Sequence, residues 1–147
     1  MNAEVFVDTN VFLYSVDDEP ASAAKRELAR NLLLSERWGW SAQVAAEFYV
    51  NATSPKRTFR LPSAGAAALV ETWFAYPTQS ISADLVRAAI DIHRRFQLSY
   101  WDAAILAAAK QLGCRTVYSE DLNHGQDYDG VRVINPFLAI ATPASPA

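Results

Sequence analysis

The stretch VFVDTNVFLY, Val5 to Tyr14, decides the fold. Val5 to Val7 is a short, wholly apolar run, the pattern of a parallel strand buried on both faces. Asp8, Thr9 and Asn10 follow at once, and all three favour turns and helix caps. A carboxylate that ends a buried strand stands at the strand's carboxyl edge, where open α/β sheets place their ligand sites. Capping and cation binding are compatible there, and both readings of Asp8 stay open.

Working outward, Pro20 opens a helix through Glu36, with Leu28, Leu32 and Leu33 on its inward stripe. Trp38 to Trp40 forms a second strand, and Ser41 caps a helix running to about Asn51. Thr53 to Pro62, with two prolines and three basic residues, is an exposed loop. Pro62 starts an alanine-rich helix that ends near Trp73 to Tyr76, before Pro77. A brief strand around Ser80 and Ile81 leads into a helix with Leu85, Ala88, Ala89, Ile92 and Phe96 on one face. Ser99 begins the next helix in a Ser-x-x-Asp capping box, and Gly113 closes it. Thr116 to Ser119 and Val131 to Ile134 are the last strands.

Strands alternating with helices predict an α/β fold, a parallel sheet covered on both faces. One domain spans 1–140, and the proline-containing segment 141–147 is expected to fray. The helix from Ser99 is apolar almost all round (Ala103 to Ala109), so it needs the sheet on one side and a helix or second subunit on the other.

At 147 residues, 51% apolar and 20% charged, the composition is that of one ordinary globular domain. No apolar run approaches the ~20 residues that span a bilayer, and the acidic start MNAE is not expected to be a signal peptide. The lone Cys114 suits a reducing cytoplasm and reads as a small core residue. A net charge of −3 argues against a general nucleic-acid coat protein. It does not exclude a nuclease, because setting four acids aside leaves 13 basic against 12 acidic residues.

Four acids stand out: Asp8, Glu47, Asp102 and Asp121. Asp102 serves its capping box and the helix dipole, yet its flanks Tyr100, Trp101 and Ala103 point to partial burial, which is costly for an unpartnered acid. Glu47 lies too far into its helix to be a cap and has no basic residue four positions away, only Asn51. Asp121, with Glu120, follows a strand and is either a turn residue or a functional one. Asp17 to Glu19 reads as a solvated turn, and His93 as exposed. His124 touches substrate or caps its turn. Lys56, Arg57 and Arg60 are phosphate contacts or a solvated basic loop. Nothing resembles a covalent nucleophile or a glycine-rich phosphate loop.

Carboxylates gathered at one sheet edge repel each other, and a divalent cation relieves the repulsion. A hard ion such as Mg²⁺ takes one or two carboxylates directly and others through water, with one- and two-ion versions both open. That arrangement suggests metal-assisted phosphodiester chemistry.

The segments VDTNVFLY, VAAEFYVN, LSYWDAAILAAA and YSEDLNHGQDYDGVRVINPF together resemble a PIN-domain ribonuclease, and more narrowly a VapC-type toxin of bacterial toxin–antitoxin pairs. The resemblance implies a three-layer α/β/α sandwich with a central parallel sheet, dependence on Mg²⁺ or Mn²⁺, and endonucleolytic cleavage of RNA. It implies homodimerisation and inhibition by a cognate VapB-type antitoxin. Asp8, Glu47, Asp102 and Asp121 match the family's acidic quartet, with Asp8, Asp102 and Asp121 as metal ligands and Thr9 and Asn10 as the supporting turn; Glu120 or Asp121 is nearer the ion. An antitoxin helix is expected in a groove that includes Phe12, Trp38, Phe59 and Leu61.

Two alternatives compete. A receiver-like or phosphatase-like module would take phosphate on Asp8, but the receiver's acidic pair and late lysine are missing and DTN lacks a second aspartate. An inactive module of the same fold would bind a partner only.

Overall fold

The computed structural model describes residues 2–140; the expected fraying of 141–147 lies outside the described residues. In chain order the elements are β1 (Val5–Val7), α1 (Thr9–Val16), α2 (Ala23–Ser35), β2 (Trp38–Ser41), α3 (Ala42–Ala52), α4 (Ser63–Trp73), β3 (Thr78–Gln79), α5 (Ala83–Phe96), α6 (Tyr100–Gln111), β4 (Thr116–Tyr118), β5 (Asp127–Tyr128) and β6 (Val131–Ile134). A 3₁₀ turn at Pro20–Ser22 precedes α2, so the proline sets the entry to the helix rather than lying inside it.

Apolar triplets with no polar face become interior strands. Val5, Phe6 and Val7 are all buried, and β1 lies between β2 and β4 in the order β3-β2-β1-β4-β6-β5. Every pairing is parallel except β5 with β6, a hairpin too short to show a period in the sequence. The chain first winds from β1 outward through β2 to β3, then returns to β4 on the other side of β1. Right-handed crossovers therefore put α1 to α4 on one face and α5 with α6 on the other. This is the three-layer α/β/α sandwich. The reversal at β1 and β4 opens a crevice at their carboxyl ends.

The expected strand at Ser80 and Ile81 forms two residues earlier, at Thr78–Gln79. There Trp40 N–H donates to the Pro77 carbonyl at 3.0 Å, and the Trp40 indole N–H donates to Thr78 Oγ1 at 2.9 Å. Exposed Ile81 gains nothing comparable.

α6 is buried from Ala103 to Ala109 because α5 covers the side that the sheet does not. Its end comes so close to β2 that a Cβ on Gly39 would stand 2.9 Å from the Ala3 Cβ and 3.0 Å from Leu112 Cδ1. Gly113, at φ +80°, ends the helix in the left-handed region that glycine adopts freely. On the opposite face Phe12 packs against Trp38, Trp40, Phe48 and Trp73, with ring centroids 4.9 to 6.5 Å apart. Phe12 and Trp38 are thus core residues, 0% and 1% exposed. They cannot line an open groove, which corrects that expectation; Phe59 and Leu61 are half-buried. Cys114 is buried as expected, and burial raises its thiol pKa to about 11.

Candidate active site

The register of β1 against β4 builds the site. Val7 lies opposite Tyr118, so the next residues, Asp8 and Ser119, leave the sheet side by side. The Asp8 N–H donates to the Tyr118 carbonyl at 3.0 Å. Asp8 also caps α1: its Oδ1 accepts from the Thr9 N–H at 2.7 Å, a cap interaction at the positive end of the helix. Its Oδ2 accepts from the Ser119 hydroxyl at 2.7 Å, and that same Oγ accepts from the Asp121 N–H at 3.1 Å.

Two further carboxylates join through α1. Thr9 Oγ1 donates to Glu47 Oε2 at 2.7 Å, while Gln43, one turn earlier on α3, donates to Glu47 Oε1 at 3.0 Å. Asn10 Nδ2 donates to Asp121 Oδ2 at 3.2 Å. Asp8, Glu47 and Asp121 are therefore one network, bridged by Thr9, Asn10 and Ser119. Asp102 stands apart. It is half-buried at the head of α6, its N–H donates to Ser99 Oγ at 3.1 Å, and its carboxylate bonds to none of the other three. The nearest link is Gln43 Nε2, which also donates to the Trp101 carbonyl at 3.4 Å.

Among the described residues none of the four acids forms an ion pair. The consequence shows at Asp8, 7% exposed. Burial raises its pKa to about 6 against the pull of the Ser119 and Thr9 hydrogen bonds, and the charges of Asp121 and Glu47 raise it further.

The remaining expected residues divide. Glu120 turns away, accepting from the Tyr14 hydroxyl at 2.6 Å and from Lys25 at 3.4 Å, so Asp121 is the acid bonded into the Asp8 network. His124 Nδ1 accepts from the Asn135 N–H at 3.0 Å and anchors its turn. Arg57 folds back, donating to the Phe59 carbonyl at 3.1 Å and standing 3.7 Å from Asp17, which is half-buried rather than a solvated turn residue. Lys56 and Arg60 remain exposed. Sequence reasoning overlooked Ser119 and Gln43. Ser119 ends the apolar run before the acidic pair, and Gln43 precedes Glu47 by one helical turn; both signals were present but neither is selective without the pairing register.

Oxygen donors of this kind suit Mg²⁺ or Mn²⁺ rather than a soft metal. Among the described residues no three His, Cys, Asp or Glu side chains converge closely enough to form a ready-made cage. Mg²⁺ is ordinarily held by one or two carboxylates and retained waters, and such a site needs no cage. Among the described residues the Asn10 Oδ1 has no hydrogen-bond partner, a buried acceptor left unspent beside Asp121. The donor set therefore fits a hard divalent cation.

The sequence model of the PIN domain matches residues 5–126. Among solved structures, a sarcin–ricin-loop-cleaving VapC toxin of Mycobacterium tuberculosis is 22% identical, with a TM-score of 0.64 over 80% of this chain and 89% of that one. A toxin–antitoxin complex from Klebsiella pneumoniae is 18% identical, with a TM-score of 0.63 over 90% of this chain and 97% of that one. The FitAcB structure from Neisseria gonorrhoeae is 19% identical, with a TM-score of 0.63 over 91% and 99%. No curated protein matches the sequence significantly.

Proposed function

The chain belongs to the PIN-domain family, and from that premise we propose that it is a divalent-cation-dependent endoribonuclease serving as the toxin of a toxin–antitoxin pair. One observation carries the reading: a buried carboxylate, Asp8, at the sheet's switch point, bonded into a network with Glu47 and Asp121 and, among the described residues, matched by no basic side chain. A phosphodiester is anionic, so acids alone would repel it. Acids that hold a cation would attract it.

In this reading Asp8, Asp102 and Asp121 hold Mg²⁺ or Mn²⁺. When bound, such a cation polarises a phosphoryl oxygen and eases deprotonation of water. The chain's own residues do the rest. Thr9 and Ser119 lock the Asp8 carboxylate in one orientation, as outer partners of a metal ligand do. Glu47, steadied by Thr9 and Gln43, orients the attacking water and accepts its proton. Lys56 and Arg60, exposed on the loop after α3, draw the RNA backbone in through long-range attraction.

The antitoxin's docking face in this reading is a groove of about 360 Å³ lined by Val16, Leu33, Leu34, Leu69 and Trp73, with Leu34 85% exposed. A second copy of the chain would use the apolar surface of α3 and α4, where Val50 and Phe74 are exposed. No helix among the described residues is long and apolar enough to cross a membrane.

Antitoxin-free protein should cut RNA with Mg²⁺ or Mn²⁺ and stop when EDTA is added. Sequencing the 5′ ends of cellular RNA after brief expression, beside Asp8→Asn, maps the cut sites. Full cleavage by Asp8→Asn would refute the assignment. Growth arrest by a variant that cuts nothing would favour the binding module.

A further inference from the structure

Beside the acidic network, and sharing Asn10 with it, lies a cavity of about 160 Å³ lined by Asn10, Leu13, Tyr14, Asp17, Arg57 and Glu120. Its wall carries one guanidinium and two carboxylates, with an apolar side at Leu13. Asn10 joins the two regions: it lines the cavity, and its amide nitrogen holds Asp121. Arg57 is held in place by the Phe59 carbonyl and by Asp17, which itself accepts from the Glu19 N–H and the Ser22 hydroxyl at 3.0 Å each. Glu120 is fixed by Tyr14 and Lys25. These side chains are therefore set before any ligand arrives.

The chemistry of the wall selects the ligand. Two carboxylates, Asp17 and Glu120, disfavour a phosphate and call for N–H donors. Arg57 calls for acceptors. A cavity of this size takes one heterocycle rather than a whole nucleotide. Guanine presents both patterns, with O6 and N7 as acceptors for an arginine fork and N1–H and the N2 amine as donors for acidic partners.

We propose that this cavity is a guanine subsite, in which Arg57 reads the acceptor edge, Asp17 and Glu120 take the N–H donors, and the base fixes which phosphodiester lies at the acids. The inference deepens the nuclease reading and rests on it for the cleavage consequence, though not for the binding itself. Arg57 is then a specificity residue and not one of a loose set of phosphate contacts. Because Asn10 touches both base and Asp121, seating the base aligns the acid.

The test has two arms. In the first, guanosine, adenosine, cytidine and uridine are each added to the full-length protein in EDTA, and binding is followed by NMR through saturation transfer and the Arg57 side-chain Nε–H signal. Guanosine is expected to bind and shift that signal, with the other nucleosides weaker by about 5-fold or more, the scale of one lost bidentate contact. Arg57→Gln should erase the difference; because Arg57 also tethers its loop, a thermal melt accompanies the variant, and the wild-type comparison stands without it. In the second arm, RNA of randomised sequence is cut in Mn²⁺ and the ends are sequenced. Cuts should keep a constant spacing from a guanine in wild type and lose that spacing in Arg57→Gln. Guanosine binding without RNA cleavage would uphold the subsite and sink the nuclease reading. Cleavage with no guanine bias, and no nucleoside preference in the first arm, would sink the subsite and leave the nuclease standing.

Discussion

Two aspartates on this molecule have been driven in opposite directions. Asp8 is buried at the end of the central strand, and its pKa rises to about 6 through burial, despite two hydrogen bonds, with Asp121 and Glu47 adding like charge. Asp129, in the β5–β6 hairpin at φ +57°, is exposed, and its pKa falls to about 2 because Arg95 and Lys110 donate to it. The protein supplies its own counter-charge on the hairpin and withholds it at the switch point. A surface pair of the first kind adds little to stability. A buried acid of the second kind destabilises the free protein and is the kind of defect that accompanies function.

The most severe way to break this contrast is Asp8→Asn. RNA cleavage in Mg²⁺ should fall by more than about 100-fold, beyond the 10- to 100-fold typical when only an outer partner of a ligand is removed. The same variant should melt at a higher temperature than wild type in EDTA at pH 8, since a buried charge has gone. Saturating Mg²⁺ should raise the melting temperature of wild type and leave the variant where it was. A variant that loses cleavage because it is unfolded would show the reverse shift in EDTA.

Next in size is the pH dependence. A carboxyl with a folded pKa near 6 and an unfolded value of 3.8 binds more protons when folded, so its contribution is fully present below pH 3.8 and is lost as pH rises through 6. At roughly 1.4 kcal/mol per unit the loss is about 3 kcal/mol. Urea denaturation in EDTA should therefore show wild type falling below Asp8→Asn between about pH 4 and 6, with a constant gap above. A gap that opens instead as the pH falls would mean that Asp8 is stabilised by a positive neighbour, and the contrast with Asp129 would be void.

Ser119→Ala probes the bridge. The hydroxyl is wholly buried, donates to Asp8 and accepts from the Asp121 N–H, so its loss leaves the buried Asp8 carboxylate and the partly buried Asp121 N–H each short of a partner. Stability should drop by about 1–3 kcal/mol, and cleavage by about 10- to 100-fold. Unchanged kinetics would mean that the orientation of Asp8 does not matter. The smallest effect belongs to Asp129→Asn, which should leave cleavage and its Mg²⁺ dependence untouched and barely move the melting curve, because its partners Arg95 and Lys110 are solvated without it.

Much of this was written locally. A triplet with no polar face can only be an interior strand, so VFV announced the centre of the sheet, and the caps Ser41 and Ser99 marked α3 and α6 where they occur. What failed did so for one reason. β3 and β5 are two-residue strands defined by pairing with β2 and β6, not by their own side chains, so no periodicity betrays them. Phe12 and Trp38 looked like a docking surface because a large aromatic reads the same in a core and in a groove. Nothing local announces the Arg57 tether, because its partner, Asp17, lies forty residues earlier in a segment that reads as a solvated turn.

The chain by itself determined the strand and helix alternation, the placement of Asp8 at a strand end and the identity of the acids, since these follow from periodicity, caps and side-chain chemistry within a few residues. Only the tertiary structure decided that Ser119 stands beside Asp8, that Asp121 rather than Glu120 joins it, that Asp102 stays outside the hydrogen-bonded network, and that Arg57 and Asn10 line one cavity. Strand register and crossover geometry set those distances between residues dozens of positions apart, and no local pattern encodes them.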